Sequence, residues 1–167
     1  MSIELSDIAA AVGTYLDTNV TTTISAVTPT KPKQDVLTPG QDGAFSVTVT
    51  NASAPEGVKL INVRYHMKIS DDTVAKFVAP GGLVLAAFPS LNSTTPIKDG
   101  TLVGEMFVEN VLDNQLDVGD SDTINLTLHC IKQGDAKATG HIHADVDQSD
   151  LFPTSQSPNG EQTVSVL

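Results

Sequence analysis

Two stretches late in the chain decide the fold: LDVGDSDTINLTLHCIK at 116–132 and ATGHIHADVD at 138–147. In both, apolar residues alternate with polar ones, which is the two-residue period of a β-strand with one buried face. The intervening residues 133–137 include Gly and Asp, which favour a tight turn. The pattern therefore predicts two strands joined as a β-hairpin, with Leu126 and Ile142 facing the core.

Further alternating or apolar runs predict strands at 19–27, 45–50, 59–69, 74–78, 83–88 and 101–109. Phe45, Val47 and Val49 form one inward row, while their neighbours are Ser or Thr. Turn residues separate these runs at short intervals, as in a sandwich of short strands. The predicted fold class is all-β: an immunoglobulin-like antiparallel β-sandwich with a short N-terminal helix.

The chain is expected to hold one domain with extensions. Residues 1–27 are predicted to be an arm of one helix and a first strand, 28–43 a proline-rich linker or loop, 44–150 the sandwich, and 151–167 a C-terminal tail or arm. The last residues, 163–167, alternate and can form either a closing strand or an arm that adds to a partner's sheet.

A single helical pattern covers residues 5–17. Its apolar stripe consists of Leu5, Ile8, Val12, Tyr15 and Leu16. One helix this short is not stable alone, so its stripe must dock either on its own sandwich or on a neighbouring subunit or scaffold protein. We take Ile8, Val12, Tyr15 and Leu16 as the candidate interaction surface.

The composition excludes several classes of function. A net charge of −11 repels a phosphate backbone, so nucleic acid is not an expected partner. Cys130 is the only cysteine, which precludes an intrachain disulfide, and its inward phase predicts an inert core residue. The N-terminus lacks the basic and apolar regions of a signal peptide, and no run reaches the roughly 20 apolar residues of a membrane span. Synthesis in the cytoplasm, without a signal peptide, is expected.

Two segments carry a family resemblance. TPGQDGAFSVTVTN at 38–51 and LDVGDSDTINLTL at 116–128 resemble the immunoglobulin-like, cell-adhesion-related (CARDB-like) repeat modules of bacterial and archaeal surface proteins, whose strands likewise begin after Pro-Gly or Gly-Asp turns. The resemblance implies the fold. Such modules usually occur in tandem behind a secretion signal, whereas this chain shows one copy and no signal. Simple immunoglobulin-like domains also decorate bacteriophage capsids and tails, whose proteins are made in the cytosol without signals. A phage particle therefore fits a single copy without a secretion signal better than a cell surface does.

The histidines give the candidate chemistry. If the strands at 59–69, 121–130 and 138–147 are neighbours in one sheet, strand phase puts all four histidines on one outward face: His66, His129, His141 and His143. Three interpretations remain open. The face can be a zinc or nickel site of His129, His141 and His143, a pH-sensitive subunit contact weakened below about pH 6.5, or a set of solvated side chains.

Aspartates offer a second, weaker metal hypothesis. Calcium ligands can be sought in two sets, namely Asp117, Asp120 and Asp122, or Asp145, Asp147 and Asp150. Neither set has the spacing of an EF-hand loop, which favours solvated turns.

The chain shows no signature of catalysis. It contains no Gly-x-Ser-x-Gly, phosphate-binding loop or His-Glu-x-x-His. Adjacent strand residues point to opposite faces, so His129 and Cys130 do not form a dyad. We therefore expect no enzyme and no cofactor.

The leading functional hypothesis is a non-enzymatic structural or decoration protein, located in the virion and attached to a larger homomeric assembly or scaffold protein such as a phage capsid or tail. The alternatives are a cell-surface adhesion or glycan-binding module, and a metal-binding protein, including a metal-dependent enzyme, that uses the histidine face.

Overall fold

The computed structural model describes residues 15–52, 57–80, 84–85, 97–109, 115–146 and 155–167. These residues form a short helical segment at 15–19 and a series of β-strands. The strands are β1 (Val20–Ile24), β2 (Thr28–Pro29), β3 (Asp42–Asn51), β4 (Leu60–Ile69), β5 (Ala75–Val78), β6 (Val84–Leu85), β7 (Leu102–Val103), β8 (Glu105–Glu109), β9 (Ser121–Cys130), β10 (Gly134–Val146), β11 (Ser155–Gln156) and β12 (Gly160–Val166). No helix within these ranges is long and apolar enough to cross a membrane.

The strands form two sheets that pack face to face. Sheet A has the order β1-β3-β9-β5-β7, with β2 also paired to β3. Sheet B has the order β11-β10-β4-β8-β6, with β12 also paired to β10. All pairings between these strands are antiparallel. The predicted class, an immunoglobulin-like antiparallel sandwich with a short helix, is confirmed.

The core lies between the sheets and follows the predicted alternation. Phe45, Val47 and Val49 of β3 are buried, as are Leu126 of β9 and Ile142 of β10. These side chains belong to a single apolar cluster that draws on both sheets. Burial of alternate residues on both sheets is therefore what the sequence pattern encoded.

The buried residues of β4 depart from strict alternation near the start of the strand, because the strand is irregular there. Ile61 is only half-buried, whereas Leu60 is fully buried. Asn62 has a φ of 53°, and the pairing with β10 shifts its register between His143 and Asp145. Such a bulge reverses which residues face the core on its far side.

The predicted hairpin is also wrong, because its two strands lie in different sheets. β9 pairs with β3 and β5 in sheet A, whereas β10 pairs with β4, β11 and β12 in sheet B. Residues 131–133 cross between the sheets, where Ile131 N donates to Val74 O. Alternation shows that each strand buries one face, but it does not specify which edges pair.

The predicted strand at 101–109 is divided between the two sheets, because alternation does not specify which edges pair. β7 pairs with β5 in sheet A and β8 pairs with β4 in sheet B. The break falls at Gly104, where an added Cβ would lie 3.0 Å from the Cβ of Asp72. A glycine is therefore required for this close approach as the chain changes sheets.

The described parts of the segments predicted as an arm, a linker and a tail pack against or pair with the strands of the sandwich. Leu16 is fully buried in the core, so the described part of the helix docks on its own domain, and β1 pairs with β3. Leu37 of the proline-rich segment is buried as well. β12 closes sheet B by pairing with β10. Ile8 and Val12 lie outside the described residues.

A buried phenol links the two sheets. Tyr65 Oη of β4 donates to Asp122 Oδ2 of β9 at 2.5 Å. Burial raises the pKa of Tyr65 far above its ordinary value, and the hydrogen bond to the carboxylate raises it further. The phenol therefore stays protonated and remains the donor.

Asn51 joins the chain segments at one end of the sandwich. Its Oδ1 accepts from Tyr15 Oη at 2.8 Å. Its Nδ2 donates to Val58 O at 2.9 Å and to Leu116 O at 3.2 Å. Because Asn51 is fully buried, these partners cannot be replaced by bulk water.

Replacing Asn51 by Ala should lower the free energy of unfolding by about 2 to 3 kcal/mol, since it removes the three hydrogen bonds of a fully buried side chain. The shift of the urea unfolding midpoint measures this loss. The matched control is Asn125→Ala on the exposed face of β9, which should change the free energy by no more than about 0.5 kcal/mol. Equal effects of the two substitutions would contradict the role given to Asn51.

Candidate functional site

Three imidazoles converge on the outer face of sheet B. His66 of β4 lies directly opposite His141 of β10, and His143 follows two residues later on the same face. His66 Nδ1 is 3.2 Å from His141 Nε2, which is 3.1 Å from His143 Nε2. The three residues offer ligand atoms that all lie within 4.8 Å of one another. We call these residues the histidine cluster.

The predicted face of four histidines is corrected by the sheet order. His129 lies on β9 in sheet A, where its Nδ1 is 2.7 Å from Asp42 Oδ1. His129 therefore does not lie beside His141 and His143, as the zinc or nickel hypothesis required. His66 lies beside them instead, because β4 and not β9 is the neighbour of β10.

Polar groups hold the outer nitrogens of two of these rings. Glu105 Oε1 accepts a hydrogen bond from His66 Nε2 at 3.0 Å. Asn159 Oδ1, just before β12, accepts one from His141 Nδ1 at 2.6 Å. The ring of Phe107, opposite His66 in the register of β8, stacks on that imidazole with centroids 4.4 Å apart.

Two rings of the cluster, those of His141 and His143, favour the neutral form. His143 is only 3% exposed, and its burial, followed by the nearby His141, His66 and Arg64, lowers its pKa to about 3. Burial, followed by the charge of His66, also lowers the pKa of His141. At neutral pH both rings therefore keep a lone pair on one nitrogen. His143 Nδ1 is buried without a hydrogen-bond partner among the described residues.

The first set of aspartates in the calcium hypothesis, namely Asp117, Asp120 and Asp122, does not form a cluster. Asp122 accepts from Tyr65, and Asp117 lies 3.7 Å from Lys59 Nζ. Within the described ranges, the histidine cluster is the one group of three or more His, Cys, Asp or Glu residues with metal-binding geometry. Asp147 and Asp150 lie outside those ranges.

A second feature lies beside β12. A groove of about 250 Å³ is lined by Val27, Pro29, Asp35, Val36, Leu37, Val164, Leu167 and the polar residues Thr163 and Ser165. Val36 is 44% exposed and Leu167 is 61% exposed. We call this feature the edge groove. The alternation at 163–167 predicted a contact segment there. Val36 was missed because the proline-rich segment around it shows no helical or strand periodicity.

Sequence comparisons assign no family. No protein-family model matches the chain, and no curated protein matches it either.

Structural similarity is broad but distant. The CARDB domain of a Pyrococcus furiosus protein is 12% identical with a TM-score of 0.47, and the match covers 89% of this chain and 94% of that one. AvmM, described as catalysing macrocyclization in alchivemycin A biosynthesis, is 13% identical with a TM-score of 0.48 over 89% and 88% of the two chains. The C-terminal domain of the Streptococcus agalactiae AgI/II polypeptide BspA is 13% identical with a TM-score of 0.40, over 85% of this chain and 48% of that one. These likenesses concern the β-sandwich and assign no activity.

The lowered pKa values predict an acid-sensitive domain. In a buffer with a chelator, the free energy of unfolding should be fully present above about pH 6.5 and should fall towards pH 5, because the unfolded chain gains protons at His143 and His141 that the folded chain excludes. Each such proton contributes a slope of about 1.4 kcal/mol per pH unit. Urea unfolding at several pH values measures the slope. His143→Gln should reduce the slope by the contribution of about one proton. An unchanged slope would contradict the lowered pKa of His143.

Proposed function

We propose that this chain is a non-enzymatic structural module that attaches to a larger homomeric assembly, of the kind that a phage capsid or tail forms, and that it resides in the assembled particle. The edge groove is the observation that carries the proposal. Large apolar side chains are exposed at Val36, Leu102, Ile131 and Leu167 among the described residues, and two of the four line this groove together. Scattered exposed apolar residues are ordinary, whereas adjacent ones lining a concave surface favour a contact site.

The position of the groove favours an added chain segment. β12 pairs with β10 along Gly160–Val166. On the other side of β12, the described residues make one bridge, between Leu37 and Val166, with Leu167 N donating to Leu37 O at 2.9 Å. An edge strand beside a groove that exposes Val36 and Leu167 suits a segment that packs apolar side chains against them and adds backbone hydrogen bonds.

The proposed occupant is the segment 1–14 of a second copy. It carries Ile8 and Val12, the apolar residues predicted to make contact. A segment of one copy that enters a groove of the next forms a heterologous contact, and repetition of that contact builds a ring or a helical filament. Both arrangements suit a particle built from many copies. Because two copies with a net charge of −11 repel each other, their association should strengthen with salt, which screens that repulsion.

Val36→Asp should weaken self-association by about tenfold or more, because it replaces an exposed apolar side chain of the groove with a second carboxylate beside Asp35. Light scattering with size-exclusion chromatography over a range of protein concentrations measures the mass. Leu102→Asp is the matched control, since Leu102 is 41% exposed but lies on β7 in the other sheet.

Removal of residues 1–14 should have the same effect as Val36→Asp. The cut must precede Tyr15, because Leu16, Val20 and Ile24 belong to the core. A wild-type chain that stays monomeric at millimolar concentration would overturn the homomeric proposal. Equal association of Val36→Asp and Leu102→Asp would overturn the role of the groove.

A further inference from the structure

We propose that His66, His141 and His143 form a binding site for one divalent transition-metal ion of the zinc, nickel, cobalt or copper class, with His66 Nδ1, His141 Nε2 and His143 Nε2 as ligands. The site lies on the outer face of sheet B and involves none of the residues that line the edge groove. Its failure or success therefore leaves the assembly proposal untouched.

The hydrogen bonds of the cluster fix where two of the protons lie. In the neutral form of His66, the Glu105 carboxylate, which only accepts, keeps the proton on Nε2 and leaves Nδ1 with a lone pair. Asn159 Oδ1 likewise accepts from a protonated His141 Nδ1, which leaves His141 Nε2 unprotonated in the neutral ring, with a lone pair. Two bare nitrogens then face each other at 3.2 Å.

Neutral imidazoles alone do not resolve this contact. A proton on His143 Nε2 can be donated to His141 Nε2 across 3.1 Å. That hydrogen bond occupies the lone pair of His141 Nε2. The lone pair of His66 Nδ1 still points at His141 Nε2, with no proton between these two nitrogens. A cation between the three nitrogens accepts all of the lone pairs at once, which is the arrangement that such tautomers serve in metal sites.

The spacing of the nitrogens fits a tetrahedral ion. With metal–nitrogen bonds of about 2.05 Å, tetrahedral ligands lie about 3.3 Å apart. The two shorter separations here are 3.1 and 3.2 Å, and all three ligand atoms lie within 4.8 Å of one another. Small rotations of the rings therefore bring all three nitrogens to bonding distance.

The ligand chemistry selects the class of metal. Three imidazoles suit zinc, nickel, cobalt and copper, whereas calcium and magnesium require oxygen ligands. Among the described residues, no fourth His, Cys, Asp or Glu joins the group, which leaves a coordination position for water or another ligand. Glu105 and Asn159 act as positioning residues, because each orients a ligand ring through its other nitrogen.

Calorimetric titration of the tag-free, metal-stripped protein with Zn²⁺ tests the site. The wild type should bind one equivalent, and Co²⁺ should give the visible absorption of a tetrahedral complex. His141→Ala and His66→Ala should each weaken binding by at least about 100-fold, since each removes one of three ligands. His129→Ala is the matched control: it removes the one histidine outside the cluster and should bind as the wild type does.

The positioning residues give a second readout. Glu105→Ala should weaken Zn²⁺ binding by about 10- to 100-fold without changing the stoichiometry, and Glu105→Gln, which keeps an acceptor oxygen, should recover part of that loss. Circular dichroism of each variant establishes that it is folded. The proposal is overturned if the wild type binds no Zn²⁺ or Co²⁺, if His129→Ala weakens binding as much as His141→Ala does, or if a folded double variant, His66→Ala with His141→Ala, still binds one equivalent.

Discussion

The antiparallel pairing of β4 with β10 is the constraint on which both the core and the histidine cluster depend. Its register sets Tyr65 opposite Ile142 on the inner face and His66 opposite His141 on the outer face. Because side chains alternate with a period of two, a shift of one residue would exchange these rows and bury imidazoles in the apolar core. The cost of that exchange fixes the register, and the register brings the three ligand nitrogens together.

Buried polar groups complete the assembly of the sandwich. Tyr65 reaches Asp122 across the two sheets, and Asn51 bonds to three chain segments at one end. Each group is satisfied in this arrangement alone, so a different packing of the same strands would leave buried donors and acceptors unpaired. Apolar burial stabilises a sandwich in general, whereas these bonds favour this particular one.

The histidine cluster contacts the residue just before β12, whereas the edge groove is lined by the later part of that strand. Asn159 accepts from His141, and Gly160, the next residue, begins the strand that flanks the groove. An added Cβ on Gly160 would lie 2.4 Å from Thr22 O of β1, so this strand start is packed tightly against sheet A as well.

The sequence by itself determined the all-β class, the inward rows of β3, β9 and β10, and the buried state of Cys130, because these depend on the local alternation of apolar and polar residues. The sequence also identified the histidines as the candidate residues for metal binding or a pH-sensitive contact. Only the tertiary structure decided that β9 and β10 separate into different sheets, that His66 replaces His129 in the cluster, and that Val36 lines a groove with Leu167. The physical reason is that alternation specifies which face of a strand is buried, while the partner of each edge depends on hydrogen bonds and packing between residues far apart in the chain.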